Sequence, residues 1–589
     1  MNNGYTTARN AQIILYLLKA RGIRKVIASP GTQNMSLVVS MQRDPFFEMY
    51  SAADERSAAY MACGMAATSG EPVVLSCTGA TASRNYISGL TEAYYRHLPV
   101  IAITSGGRSS MIGHDIAQVI DRTSIPKDIA LISVNAQVIH DGDDEWNCTV
   151  QVNKALLETC HHGGGPVHIN LEKENDTDFS CYEMPPCRVI ERFSYSDKLP
   201  NITKGKKVAI LIGSHVPFTE ENQAIIEHFC ECHDAVVFCD HTSNYHGKYK
   251  VLPALIGSQG KYHSPALDFD IIIQLGGVTG NYYQLKIGAN AKEVWRVNED
   301  GFIKDTFKRL QYVFEMDEVS FFSNYVLNKD KLDNLEINRY KECLNEYELI
   351  LSKIPQLPFS SIWIAKKMAA KMPHGCIVHF GILNSLRSWN FFVLDDSIDC
   401  FSNVGGFGID GGISSFIGSA LASPKNLHFG VFGDLAFFYD MNVLGNRHIP
   451  KNVRILLVNN AKGTEFRLYS HPASRLGDMA DEFIAAARHY GNKSSWLVKH
   501  YSEDLGFKYL SASNKQDFDL VLDSFLQPND FNVPVVFEVF TDSKDENDAL
   551  LCVNSILKSR ENQRKEKIMK IIGEENAHAI KRFIDKVKP

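Results

Sequence analysis

The sequence of 589 residues lacks any uncharged apolar run close to the ~18 residues that a membrane helix requires. The first nine residues are polar, and no secretory leader is predicted there. Internal repeats and low-complexity segments are missing as well. Basic charge is not in excess, because the net charge is −7, so no nucleic-acid partner is expected. We expect a chain that stays in water and does not span a membrane.

The sequence also lacks the cysteine pattern of a disulfide framework. Its 13 cysteines are odd in number and scattered, whereas a framework needs even pairing in a small secreted domain. Reduced, mostly buried thiols are therefore predicted, in a cytoplasmic protein. Cys230 and Cys232 lie between His228 and His233, but Cys-x-Cys is tighter than the usual zinc spacing. A zinc site at this position is the less favoured alternative.

Helix and strand patterns alternate along the whole chain, which is typical of an α/β fold with doubly wound parallel sheets. Helices are predicted at residues 7–21, 57–68 and 329–354, and another follows a turn at Gly79 and runs through Tyr95. The predicted strands are short and apolar: 25–28, 72–77, 99–104, 206–212, 235–238, 270–275, 377–380, 399–401, 427–432, 453–458 and 535–540. A chain of this length exceeds one hydrophobic core. The linker-like stretches predict domains at 1–180, 190–334 and 356–555, followed by a charged helical extension at 556–589.

Two polar strand ends in the last predicted domain point to a metal and diphosphate site. The apolar strand HFGVF ends in Gly433-Asp434, and about 25 residues later the strand RILLVNN ends in Asn459-Asn460. This spacing brings the chain through a helix to a parallel neighbour, so both ends are expected at the same edge of a sheet. Aspartate and amide oxygens are ligands that Mg²⁺ prefers. Either motif alone is a common turn, but together they favour Mg²⁺ and a diphosphate.

Several segments then carry a resemblance to a known family. GDLAFFYDMNVL…RILLVNNAKG is similar to the GDG…NN signature of thiamin-diphosphate enzymes, and in particular to that of the SEPHCHC synthases of menaquinone biosynthesis. The segments SPGTQNMSLV, ADERSAAYMACGMA and SNVGGFGIDG resemble further motifs of that family. The resemblance covers most of the chain. The middle domain and the tail after about residue 558 are poorly covered.

The resemblance implies a fold, cofactors and an assembly. The first domain would bind the pyrimidine, the central one would be Rossmann-like without a cofactor, and the last would bind the diphosphate. The cofactors implied are thiamin diphosphate and Mg²⁺. The enzyme would decarboxylate a 2-oxo acid and transfer the acyl carbanion to an acceptor, forming a C–C bond. A homodimer or homotetramer with active sites between subunits is implied.

The resemblance also assigns roles to individual residues. Glu55 would hydrogen-bond the pyrimidine N1′, and Gln118 would face the reaction centre. Metal ligands would be Asp434, Asn460 and the backbone carbonyl of Lys462. The remaining cofactor-binding positions would be Asn384, Ser385, Gly408, Ile409, Gly433, Leu435 and Phe466, with Ile409 supporting the bent cofactor. From the residues alone, Glu55 could equally be a surface residue at a helix start, Ile409 a core residue and Gln118 a solvated one.

The chain departs from the family pattern where arginines are expected to bind substrate carboxylates. Thr32 and Gln33 stand where the family has Ser-Arg, and Val404 stands where it has an arginine. Glu465 stands where the family has a hydrophobic residue. Arg108 and Arg387 lie near the expected arginine positions but not on them. These five tentative substrate residues (Thr32, Gln33, Arg108, Arg387 and Glu465) predict an acceptor other than that of menaquinone synthesis.

Three alternatives remain open at this point. The chain could be a simple 2-oxo acid decarboxylase or lyase on the same cofactor. Residues 406–411 form a literal G-x-G-x-x-G, which is the pattern of an NAD-dependent dehydrogenase. The substituted pocket could instead belong to a non-catalytic relative that is kept as a scaffold.

Overall fold

The computed structural model describes residues 4–173, 177–260, 262, 264–326, 338–489, 494–527 and 531–557. The predicted helix at 329–354 is described from residue 338 onward, as Asn338–Ser352. The predicted C-terminal extension, 556–589, lies outside the described residues except for its first two positions. No helix of the described part has the length and the apolar character needed to span a membrane.

Strands and helices alternate through the described part of the chain. The strands are β1 Lys25–Ala28, β2 Glu48–Ser51, β3 Val73–Thr78, β4 Val100–Gly106, β5 Ser133–Ala136, β6 Val167–Glu172, β7 Glu191–Phe193, β8 Val208–Ile212, β9 Val236–Cys239, β10 Lys250–Val251, β11 Ile271–Leu275, β12 Glu293–Val297, β13 Leu310–Phe314, β14 Ile377–Phe380, β15 Asp399–Ser402, β16 His428–Gly433, β17 Val453–Asn459, β18 Lys508–Ala512 and β19 Val535–Phe540. The helices are α1 Arg9–Ala20, α2 Met35–Arg43, α3 Glu55–Ser69, α4 Ala80–Asn85, α5 Ile87–Tyr95, α6 Gly142–Glu158, α7 Glu220–His233, α8 Ala254–Gly257, α9 Tyr282–Asn290, α10 Glu318–Val326, α11 Asn338–Ser352, α12 Ser361–Met368, α13 Asn384–Trp389, α14 Gly412–Ala422, α15 Asp434–Asp440, α16 Met479–Phe483, α17 Leu497–Asp504, α18 Lys515–Leu526 and α19 Ser543–Asn554.

One compact unit comprises the described residues of 4–197 and 300–315. Its six-stranded sheet is parallel, with the order β2-β1-β3-β4-β6-β5. Every residue of β4 is buried, which is expected where helices cover both faces of a parallel sheet. The strand order reverses between β1 and β3, so the loops after these two strands diverge and leave a crevice at the carboxyl edge. The parallel pair β7 and β13 belongs to this unit too.

The second compact unit comprises the described residues of 198–299 and 316–557. It contains the neighbouring parallel strands β10-β9-β8-β11-β12 and a parallel sheet with the order β15-β14-β16-β17-β19-β18. The latter order repeats that of the first unit, with β14 and β16 in the places of β1 and β3. Its reversal therefore lies between β14 and β16, and the loops after these strands form the corresponding crevice.

The α/β fold class with three parallel sheets is confirmed. The strands at 25–28, 377–380 and 535–540 have the predicted bounds, because each is an apolar run between polar turns. The single helix predicted between the turn at Gly79 and Tyr95 is wrong: two helices, α4 and α5, meet at Tyr86. The strands β2, β5 and β18 were not predicted, since their exposed or mixed residues carry little apolar signal. The predicted domain boundaries stay a prediction.

Candidate active site

Asp434 and Asn460 lie at the carboxyl edge of the last sheet. β16 and β17 are parallel neighbours in a register that pairs Gly433 with Val458, so both strands end together. Asp434 begins α15, and its buried carboxylate accepts hydrogen bonds from the backbone N–H of Leu435 and of Ala461. Ala461 directly follows Asn460 and has a positive φ of 68°. This turn brings the amide after β17 onto the carboxylate after β16.

The charge of Asp434 is not balanced by a cation. Burial raises the pKa of its carboxyl to about 7, against the lowering effect of the backbone N–H groups. Among the described residues it forms no ion pair, and the Oδ1 atom of Asn460 is buried without a hydrogen-bond partner. An uncompensated buried carboxylate beside an unpartnered amide oxygen is costly unless a cation binds. The donor set therefore fits a hard divalent cation such as Mg²⁺.

Asn384 and Ser385 lie at the neighbouring strand end, on the other side of the reversal. They form the first turn of α13, which follows β14 and Gly381. Leu383, the residue before this turn, has φ 64° and ψ −122°, a conformation that costs a bulky residue of order 1–3 kcal/mol. Such strain is concentrated at functional sites, and here it directs the first turn of α13 toward the crevice beside β16. Ser385 is buried.

The glycine-rich segment 406–411 connects β15 to α14. Ser414, in the first turn of α14, donates two hydrogen bonds to Asp440, from its backbone N–H and from its hydroxyl, both at 2.6 Å. Gly408 and Ile409 are half-buried in this connection. The segment follows β15, which is an edge strand, whereas a dinucleotide-binding loop follows the strand at the reversal of the sheet order. The structure gives the dehydrogenase alternative no support.

A short turn after β17 brings Phe466 against the residue that follows Asp434. An added Cβ at Gly463 would lie 3.0 Å from the ring of Phe466 and 3.2 Å from Leu435. The side chain of Lys462 donates a hydrogen bond of 2.8 Å to Asp481, so it points toward α16. Phe466 and Leu435 thus lie together beside Asp434.

Two of the tentative substrate residues form an ion pair in the same crevice. Arg387 on α13 donates to both carboxylate oxygens of Glu465, at 2.9 Å and 3.1 Å. Arg387 also donates to the side-chain oxygen of Asn384 at 3.0 Å. Both charged side chains are largely buried, with exposed fractions of 10% and 19%. The sequence placed each residue in the pocket but did not predict that they pair.

Glu55 is the first residue of α3 in the other unit. The helix is capped by Asp54, whose side chain accepts from the N–H of Arg56, so Glu55 does not serve as the cap itself. Glu55 is half-buried, and Asn85 lies 3.4 Å from its Oε2 atom. Burial raises the pKa of the Cys77 thiol to about 12, and the nearby negative charge of Glu55 adds to this effect. Glu55 therefore lies next to the end of β3, beside the reversal of the first sheet.

Gln33 and Gln118 also meet at this edge. Gln33 accepts a hydrogen bond from the N–H of Gly79 at 3.2 Å and donates to Gln118 at 3.1 Å. Gln118 is exposed with φ 66°, and Thr32 is exposed as well. Arg108 follows β4 and is half-buried. Amide side chains thus connect the loops after β1, β3 and β4.

Sequence reasoning missed two buried polar residues in these crevices. Glu538 on β19 accepts from Asn459 at 2.7 Å and from Tyr509 at 2.8 Å, and burial raises the pKa of its carboxyl. Arg122 is buried with its Nε atom on Asn170, and a Cβ on Gly79 or Gly106 would collide with its guanidinium. The signal for Glu538 was an acid within the apolar run VVFEVF. Arg122 had no comparable signal.

Known proteins resemble this chain in sequence. Residues 8–125 match the family model of the thiamine pyrophosphate enzymes, N-terminal TPP-binding domain. The chain is 30% identical over 557 residues to a 2-succinyl-5-enolpyruvyl-6-hydroxy-3-cyclohexene-1-carboxylate synthase of Bacteroides thetaiotaomicron, covering 91% of this chain and 96% of that protein. The synthase of Phocaeicola vulgatus is also 30% identical, with 92% and 97% covered. That of Flavobacterium johnsoniae is 29% identical, with 92% and 97% covered.

Proposed function

Because the chain belongs to the 2-succinyl-5-enolpyruvyl-6-hydroxy-3-cyclohexene-1-carboxylate synthase family of thiamin-diphosphate-dependent enzymes, we propose that it is a Mg²⁺-dependent transferase. It decarboxylates a 2-oxo acid and transfers the acyl group to an acceptor that differs from the one in menaquinone synthesis. The observation that carries the proposal is the buried, uncompensated carboxylate of Asp434 beside the unpartnered Oδ1 of Asn460.

The residues of the last sheet would bind the cofactor. Asp434, Asn460 and the carbonyl of Lys462 would bind Mg²⁺, which in turn holds the diphosphate near Asn384 and Ser385. Gly433 and Gly408 let the backbone approach the ligand, while Ile409, Leu435 and Phe466 give it an apolar wall. Bound thiamin diphosphate would supply the electron sink for decarboxylation. Glu55 would hold the proton at the pyrimidine N1′, and Gln118 would orient the reacting groups.

The charges of the crevice residues bear on which acceptor can bind. The relatives' printed name describes a product with carboxylate groups, and arginine forks are the side chains that match carboxylates. In this chain the fork of Arg387 already binds Glu465, while Gln33 and Gln118 are neutral. A polyanionic acceptor would find few partners among these residues. We therefore propose a less anionic acceptor.

Binding of the cofactor is tested by thermal unfolding of the purified protein, with Mg²⁺ and thiamin diphosphate added separately and together. A ligand at ~100 times its Kd stabilises the folded state by roughly 2.7 kcal/mol. We expect a clear rise of the melting temperature that needs both additives and disappears in Asp434→Ala. No rise in metal-depleted wild-type protein would contradict the proposal. Release of CO₂ from a panel of 2-oxo acids then tests the reaction.

A simple decarboxylase on the same cofactor is the second candidate. The observation that favours it is the closed Arg387–Glu465 pair, in which the guanidinium fork of Arg387 is occupied by a carboxylate of the chain itself. Product analysis separates the two candidates, because a decarboxylase releases the aldehyde while a transferase incorporates it into a larger product. A full yield of free aldehyde with every acceptor tried would favour the decarboxylase.

We propose that the active enzyme is a homo-oligomer in which Glu55 of one subunit serves the cofactor held by Asp434 of another. Exposed apolar side chains in each compact unit support this proposed assembly. Tyr60 and Met61 on α3 are 48% and 42% exposed, and Met479 and Phe483 on α16 are 80% and 88% exposed. Apolar surface of this kind is typical of interaction sites.

A further inference from the structure

Arg387 and Glu465 form a largely buried ion pair in the crevice of the last sheet. The two N–H···O bonds of 2.9 Å and 3.1 Å form the bidentate geometry that guanidinium and carboxylate prefer. A third bond of 3.0 Å links Arg387 to Asn384, and the ring of Tyr282 lies 5.8 Å from the guanidinium carbon. The guanidinium is thus fixed by three side chains around it.

The pair lies directly beside the cofactor residues. Arg387 follows Asn384 and Ser385 by one helical turn or less on α13. Glu465 belongs to the 3₁₀ turn Thr464–Arg467, and a Cβ added at the preceding Gly463 would lie 3.2 Å from Leu435, the residue after Asp434. The pair therefore connects the strand end after β14 with the turn after β17, on the surface where a second substrate would approach.

A carboxylate and a hydroxyl group would have to bind at the Arg387–Glu465 pair in different ways. A substrate carboxylate could reach the fork of Arg387 only by displacing Glu465, which would leave a largely buried carboxylate without a partner. A hydroxyl group needs no displacement. Each carboxylate oxygen of Glu465 accepts one N–H from Arg387 and keeps a lone pair, and hydroxyl groups donate strong hydrogen bonds to such oxygens.

We propose that the Arg387–Glu465 pair selects a neutral acceptor that carries hydroxyl groups, a hydroxyaldehyde or hydroxyketone of the sugar type, and rejects acceptors with a carboxylate. This inference rests on the proposed transferase function. In the reaction the C1–C2 bond of the 2-oxo acid breaks and CO₂ leaves, while the electron pair stays on C2. That carbon bonds to the acceptor's carbonyl carbon, whose oxygen takes up one proton, so a hydroxyketone forms without an oxidant or reductant.

The test uses the enzyme loaded with Mg²⁺ and thiamin diphosphate and the 2-oxo acid that it decarboxylates best, labelled with ¹³C at C2. Glycolaldehyde and glyoxylate are the matched acceptors, because they differ only in CH₂OH against COO⁻. We expect kcat/KM of the wild type to favour glycolaldehyde by at least about tenfold. Glu465→Gln frees the fork and should move this ratio toward glyoxylate by roughly 10–100-fold.

Two further variants act as controls. Arg387→Met combined with Glu465→Leu removes both charges, and it should lose the preference for glycolaldehyde without gaining glyoxylate. Asp548→Asn breaks the exposed pair with Lys544 and should leave the ratio unchanged. A wild-type preference for glyoxylate, or an unchanged ratio in Glu465→Gln, would overturn the inference.

A binding experiment separates this inference from the proposed function. Sodium succinate, used as a carboxylate probe, should not raise the melting temperature of the wild type but should raise that of Glu465→Gln. This result can be obtained even if no 2-oxo acid is decarboxylated, in which case the proposed function fails and the anion-excluding role of the pair stands. Equal stabilisation of both proteins by succinate would refute that role.

Discussion

At the residue scale, the two carboxylates of the candidate site lie in different surroundings. Asp434 is almost completely buried and has no cationic partner among the described residues, whereas Glu55 is half-buried at the start of a capped helix. A buried carboxylate without a cation fits the proposed metal ligand, and a half-buried one fits the proposed contact with a cofactor. Substitutions of Asp434 and of Glu55 are therefore expected to have different effects on cofactor binding and on turnover.

Glu55→Gln is expected to lower the rate of CO₂ release by about 10²–10⁴-fold, since a glutamine cannot hold the proton that the pyrimidine requires. The rise of the melting temperature with Mg²⁺ and thiamin diphosphate should persist, because the metal ligands are intact. Steady-state kinetics and thermal unfolding measure the two effects. Glu71→Gln, at an exposed acid paired with Lys25, serves as the control and should keep full activity. Unchanged turnover in Glu55→Gln would exclude its catalytic role.

A buried histidine makes the fold sensitive to acid. Burial lowers the pKa of His168 to about 4, and the positive charge of Arg122 adds to the effect. The imidazole ring of His168 forms hydrogen bonds with the hydroxyl groups of Thr104 and Ser133. The unfolded chain takes up this proton below its ordinary pKa of about 6.5, and the folded chain does not until about 4. Stability that is present above pH 6.5 is therefore lost as the pH falls toward 4.

His168→Gln should remove this pH dependence. Between pH 7 and pH 5 the free energy of unfolding of the wild type should fall by about 2 kcal/mol more than that of the variant. Urea unfolding at the two pH values measures the difference. His374→Gln, at a side chain that is 84% exposed, is the matched control and should follow the wild type. Parallel pH profiles for His168→Gln and the wild type would contradict the assignment.

At the element scale, the packing of α3 against α5 positions Glu55. A Cβ added at Gly89 on α5 would lie 2.4 Å from the Cβ of Ala59 and 2.9 Å from its backbone carbon. Real side chains do not tolerate such distances, so the two helices approach this closely only because residue 89 is a glycine. The small residues Ala58, Ala59 and Ala62 of α3 are buried at this interface and around it.

Gly89→Ala is expected to destabilise the protein by roughly 1–3 kcal/mol, because the helices must move apart to make room for a methyl group. The movement would also displace Glu55, so the activity should fall. Gly418→Ala, in the middle of α14 where a Cβ meets nothing within 4 Å, is the control. It should be neutral or more stable by up to ~1 kcal/mol. Urea unfolding and CO₂ release compare the two variants, and equal stabilities would exclude the close packing.

At the scale of the whole molecule, the proposed assembly can be tested by mixing two inactive variants. If Glu55 and Asp434 of one site come from different subunits, a mixture of Glu55→Gln and Asp434→Ala dimers regains activity after subunit exchange. Half of the dimers are then mixed, and each has one intact site, so about a quarter of the wild-type activity is expected. If both residues of a site come from one chain, the mixture stays inactive. Analytical ultracentrifugation gives the size of the assembly.

Each of the two repeated sheets has one reversal of its strand order, where a ligand can bind. Both have the order 2-1-3-4-6-5 when their own strands are counted from the first, so each has its reversal between its first and third strands. Ligands of open α/β sheets bind at these reversals. Glu55 and Gln33 lie by one reversal, and Asp434, Asn384 and Ser385 lie by the other.

The sequence by itself determined the fold class, because buried parallel strands need apolar runs and their connections need helices. The spacing between Asp434 and Asn460 likewise required a shared sheet edge, and β16 and β17 are parallel neighbours as that spacing requires. These features follow from local pattern and chain length. The exposed strands β2 and β18 could not be predicted in this way, since their pairing rather than their composition makes them strands.

Only the tertiary structure decided which polar groups meet. Arg387 and Glu465 are 78 residues apart in the chain, and nothing in either segment indicates that their side chains pair. The same holds for Gln33 with Gln118, which are 85 residues apart, and for Asn459 with Glu538. Such contacts depend on the directions of side chains at neighbouring strand ends, which are set by the packing of the entire sheet. The residue types in the crevice are therefore read from the sequence, while its charge balance is a property of the folded chain.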